Sequence, residues 1–126
     1  MKDFTLKKLR IRPDVVEVKF EQAETLESGA VSVTECSVTR TEIPHKDLTE
    51  LMSDVSLFAS ELLDAEVVIK ELKANGKKYT LAGCFKNPDL DAKIKFKVEV
   101  LPMFTRIENE VYSYLFENKV AQLEEL

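Results

Sequence analysis

Residues 93–100 read Lys-Ile-Lys-Phe-Lys-Val-Glu-Val. Ile94, Phe96, Val98 and Val100 alternate with Lys93, Lys95, Lys97 and Glu99, the cleanest period of two in the chain. Alternation at that period marks a strand with one buried and one wet face. Pro102 stops the run, because proline has no amide hydrogen to give to a ladder. Strand-like stretches of this kind fall into two groups of three, each followed by a helix-like stretch. That order decides the fold.

Upstream, Tyr79, Leu81 and Phe85 form the neighbouring strand and residues 67–72 the one before it. Asn75-Gly76 between them is a hairpin signal, since both residues tolerate positive φ. Asn87-Pro88-Asp89 reads as a loop. In the first group, Phe4, Leu6, Leu9 and Ile11 alternate with polar residues except for a one-residue slip at Lys7-Lys8, which predicts a bulge. Arg12-Pro13-Asp14 is a turn, and Val16, Val18 and Phe20 mark a second strand. Residues 21–29 form an acidic connection. Residues 30–38 are a Val/Thr-rich third strand, with Val31 and Val33 on one face.

Between 45 and 63, Leu48, Leu51, Met52, Val55, Phe58, Ala59 and Leu62 recur at three- and four-residue steps. Such a stripe faces a core from a helix. Asp47 and Glu50 sit where acids complement the helix dipole. In the second helix, Thr105 and Glu108 have capping-box spacing, and Ile107, Val111, Tyr114 and Leu115 form the apolar stripe to about Asn118. The expectation is one α+β domain over residues 1–119. It has the order βββα-βββα, a largely antiparallel sheet and two helices on one face, with a tail at 120–126. The repetition lies in element order and not in residue identity, so duplication and chance explain it equally well.

The 126 residues suffice for one domain with a single core. One His, two Cys and three Gly leave no His-rich or all-cysteine metal site and no phosphate-cradling loop, so neither metal nor cofactor is expected. Asp89 and Asp91 lack the Gly and terminal Glu of a calcium loop. Cys36 and Cys84 read as reduced, small buried hydrophobes. No stretch approaches the ~20 apolar residues of a membrane span, and the charged N-terminus lacks a signal-peptide core, so the expected location is the cytoplasm. His45 is the lone histidine. It reads as an exposed first-turn residue, against the alternative of a general base oriented by Asp47 or Glu50. No nucleophile elbow accompanies the Ser and Thr residues, and catalysis is not expected.

The net charge of −5 hides a polarised chain. Residues 1–20 carry +3, residues 21–65 carry −8, residues 66–100 carry +3 and residues 101–126 carry −3. Lys93, Lys95 and Lys97 share one strand face; Lys77, Lys78 and Lys86 come from the adjacent hairpin; Lys7, Lys8, Arg10 and Arg12 come from the first strand. In a common sheet these make a basic open face that meets phosphates. The alternative is a solvated face whose lysines guard an edge.

The chain ends Gln122-Leu123-Glu124-Glu125-Leu126. Gln122, Leu123 and Leu126 resemble the Gln-Leu-x-Leu-Phe peptide by which bacterial replication and repair proteins dock on the sliding clamp, with Glu125 standing where that peptide is apolar. The alternative is a frayed helix end. The chain also resembles small phage and prophage proteins found with replication and recombination genes. The resemblance rests on Ile43-Pro44-His45-Lys46-Asp47-Leu48, on residues 111–119 with Asn118 in place of a Gly, and on Ala121-Gln122-Leu123. It implies a non-enzymatic accessory role in phage DNA replication or recombination. The partners would be a protein and, through the basic face, DNA; self-association of an exposed helix stripe is a further expectation. A structural or assembly component of the virion is the alternative.

Overall fold

The computed structural model describes residues 3–87, 89 and 92–117. Six strands form one antiparallel sheet: β1 (Asp3–Arg12), β2 (Val15–Thr25), β3 (Val31–Arg40), β4 (Val67–Asn75), β5 (Lys78–Phe85) and β6 (Lys93–Val98). Helices α1 (Lys46–Leu63) and α2 (Phe104–Phe116) follow β3 and β6. The strand order is β3-β2-β1-β4-β5-β6, so the first strands of the two βββα halves meet at the centre. The topology is two-fold symmetric about that seam.

Each central strand is bulged. The register shifts between Leu6 and Lys8 in β1 and between Ile69 and Glu71 in β4. The reason is readable in both strands. Leu6 and Leu9 are three apart, as are Ile69 and Leu72, and all four are buried. A regular strand sends residues three apart to opposite faces; one extra residue brings them back together.

The core lies between the sheet and the helices. Val16, Val18 and Phe20 of β2, Leu81 of β5, Leu48, Val55 and Ala59 of α1, and Ile107 and Val111 of α2 fill it. The β1–β4 seam pairs only Lys8, Arg10 and the residue between them with β4. Beyond it, α1 takes over the role of a strand: Ser56 Oγ accepts from Ile69 N at 2.9 Å and Ser60 Oγ from Val67 N at 3.0 Å. These hydroxyls satisfy buried amides that no neighbouring strand reaches.

Several sequence expectations are corrected. The hairpin loop is Gly76-Lys77, because Asn75 pairs with Lys78; Gly76 has φ +63° and Lys77 is not left-handed, a type II′ pattern. β6 ends at Val98, and Val100 is exposed. Leu62 is 54% exposed and Phe58 only half-buried, so the buried stripe of α1 ends at Ala59, before the helix closes at Asp64 in the left-handed conformation. Thr105 does not cap α2. The helix begins at Phe104, whose ring packs on Tyr79 at 4.7 Å, and the Glu108 carboxylate instead accepts from Leu6 N at 2.9 Å. Cys36 and Cys84 are free and half-buried rather than buried. Val31 and Val33 share a face as expected, but it is the solvent face.

Candidate nucleic-acid interface

Both helices lie on one side, so the other face of the sheet is bare. Pairing register fixes what that face carries. One row runs Lys97, Thr80, Lys73, Lys8, Lys19, Ser37 across all six strands. The next row runs Lys95, Ala82, Glu71, Arg10, Glu17, Thr39, and Lys93 lies beside Cys84. Four lysines stand in one row on strands roughly 4.8 Å apart, with Thr80 between Lys97 and Lys73, and form a ribbon of positive charge perpendicular to the strands.

Glu71, Glu17 and Glu21 on this face hold only part of that charge, and Glu35 adds a negative side chain on the β3 edge. Lys8 Nζ is 3.2 Å from Glu71, Arg10 is 3.8 Å from Glu17, and Lys7 is 3.7 Å from Glu21. Lys19, Lys73, Lys93, Lys95 and Lys97 are exposed and make no ion pair among the described residues. The positive excess therefore grows from the seam toward β6. No aromatic ring of the described residues lies on this face; Tyr79 points to the helix side.

Of the residues singled out from sequence, Lys93, Lys95 and Lys97 stand together on the face. Lys78 flanks it at the hairpin end, and Lys77 is at the hairpin tip. Arg10 is committed to Glu17. Arg12 ends β1, beside a groove of about 400 Å³ lined by Ile11, Pro13, Ile43, Met52 and Val68. Sequence reasoning missed Lys19 and Lys73, although Lys19 stands between the inward Val18 and Phe20 and was legible as an outward residue. Gln122, Leu123 and Leu126 lie outside the described residues.

His45 is not an exposed first-turn residue but the N-cap of α1: its Nδ1 accepts from Asp47 N at 3.2 Å. Its ring groups with the carboxylates of Asp47 and Glu110, ligand atoms within 4.8 Å of one another. With Nδ1 accepting, the neutral ring carries its proton on Nε2 and presents a donor there, not a lone pair. His45 caps α1 beside Glu110 of α2, and a metal there would have to take Nδ1 from the cap.

A second polar cluster ties β3 to α2. Tyr114 Oη donates to Glu42 Oε1, and the Arg40 guanidinium lies 4.8 Å over the Tyr114 ring. Burial, and then the Glu42 carboxylate, push the Tyr114 hydroxyl up to about 12. Raised above the unfolded value of about 10, this group contributes stability that is full below pH ~10 and is lost as pH rises through ~12. An ultraviolet titration should show a tyrosine ionising at about pH 12, and Tyr114→Phe should remove that step. Tyr114→Phe should flatten the fall in melting temperature over pH ~10–12. A wild-type fall that Tyr114→Phe leaves unchanged would place the cause elsewhere.

Comparison with protein families, with curated proteins and with solved structures yields no match. Among the described residues no helix is long and apolar enough to cross a membrane.

Proposed function

We propose that this chain is a non-catalytic DNA-binding accessory protein that holds the phosphate backbone on the open face of its sheet. The observation that carries this reading is the cross-strand row Lys97, Lys73, Lys8, Lys19, reinforced by Lys93 and Lys95. Lysines along such a row, all but Lys8 free of an ion pair among the described residues, displace counterions from a phosphate chain, and that release drives association. Without rings to stack on bases, binding is electrostatic and indifferent to sequence. The setting in phage replication or recombination is the one the sequence resemblance implies. The acidic helical side faces away from the nucleic acid and is the side left for a protein partner.

Lysine acetylation read by mass spectrometry tests the face directly. With a single-stranded oligonucleotide present, Lys19, Lys73, Lys93, Lys95 and Lys97 should be protected. Lys46, exposed on α1, should react as in the free protein. Equal protection of Lys46, or none at the five, would contradict the reading.

A further inference from the structure

The two edges of the sheet are unequal. β6 presents Lys93, Lys95 and Lys97, and two copies laid edge to edge there would set lysine against lysine. That edge is guarded. β3 is not. Its ten residues contain no proline, no glycine and no lysine, and they stay in unbroken register with β2 from Val31 to Arg40. Val31 is 63% and Val33 56% exposed, and among the described residues the outward backbone groups of this edge bond to no other element, so it offers them flanked by apolar side chains.

We propose that β3 is a homodimer edge: two copies pair β3 with β3 antiparallel, about a two-fold axis normal to the sheet, and form one twelve-stranded sheet. The strand carries β-branched residues through both halves, Val31, Val33 and Thr34, then Val38 and Thr39. Such an axis keeps the two open faces on the same side, so odd-numbered residues meet odd and even meet even. Two registers overlap all but one residue of the strand. One sets Glu35 directly against its copy, and like charges opposed across strands repel. The other sets Glu35 opposite Ser37, Val33 opposite Thr39, and Ser32 opposite Arg40, with Cys36 on the axis beside its copy. Charge selects the second. On the helix side this extends the row Leu6, Phe20, Cys36 into the copy. The exposed rings of Tyr112 and Phe116, which pack by Phe4 and Phe20, then face their counterparts across the joint. With β6 guarded, each copy has one open edge, so the contact closes at two and does not propagate.

Sedimentation across the micromolar range and mild diamide oxidation test this together. The wild type should dimerise, and oxidation should trap the dimer as a disulfide between two Cys36 thiols. Cys84→Ser should keep the covalent dimer and Cys36→Ser should abolish it. The double variant Val33→Lys, Thr39→Lys opposes lysines twice at solvent-exposed sites, which leave the monomer fold intact by circular dichroism. It should weaken association about tenfold or more. A wild type that stays monomeric, a crosslink through Cys84, or a double-lysine variant that dimerises like the wild type would overturn the proposal.

Discussion

Gly83→Ala is expected to destabilise the protein by about 3 kcal/mol or more, a large share of the 5–15 kcal/mol typical of a domain. Gly83 lies in β5 opposite Ile69, next to the bulge that kinks β4. A Cβ at this position would stand 1.8 Å from the Val68 carbonyl oxygen, 2.8 Å from Val68 C and 2.9 Å from Ile69 Cα. All three are backbone atoms, so no rotamer change relieves the clash. β4 would have to move away, and with it the amides of Val67 and Ile69 that bind Ser60 and Ser56. Gly76→Ala is the control. It has open space around it, so it should cost only the strain of a side chain at φ +63°, about 1–2 kcal/mol. Urea unfolding of the two variants measures the contrast. Equal midpoints would mean that β4 does not approach Gly83 as described.

Replacing Lys93, Lys95 and Lys97 together by glutamate is expected to cost DNA affinity about 100-fold or more. At ~0.1 M salt the release of one condensed counterion is worth about 1 kcal/mol, and a tenfold loss is about 1.4 kcal/mol. Three lost contacts therefore account for about 100-fold, before the added repulsion. The side chains are exposed and point away from Ile94, Phe96 and Val98, which pack on the core, so the fold should survive. An unchanged melting temperature would show that it has. A loss under about threefold would leave these lysines as edge guards only.

The architecture was legible because alternation and spacing carry it. Leu6 and Leu9, three apart in an otherwise alternating strand, announce a bulge by their spacing alone, and Ile69 and Leu72 carry the same sign. The helix stripe at 48–59 likewise fixes the face that α1 buries. What alternation fixes is the face of a residue, not its neighbour across strands. Lys73 and Lys19 join Lys97 in one row only because β4 and β1 pair at the centre, and that register depends on two bulges acting together. For a related reason, alternation puts Val31 and Val33 on one face without saying which. Their β-branched shape suits any strand, whereas the face of β3 is set by Cys36 and Val38 opposite Phe20 and Val18. Glu108 and His45 illustrate the remaining gap. Each acts on a backbone amide, Leu6 at the bulge and Asp47 in the first helical turn, and only the folded chain shows which amide is in reach.

The central claim is that the open sheet face holds DNA by its phosphates. Fluorescence anisotropy of a labelled single-stranded oligonucleotide, titrated with salt, tests it most directly. The wild type should bind at about 50 mM salt and weaken linearly in log Kd against log salt, and the slope should drop by about 2 when Lys93, Lys95 and Lys97 become glutamate. No binding at about 50 mM salt, or the same slope in both proteins, would contradict it.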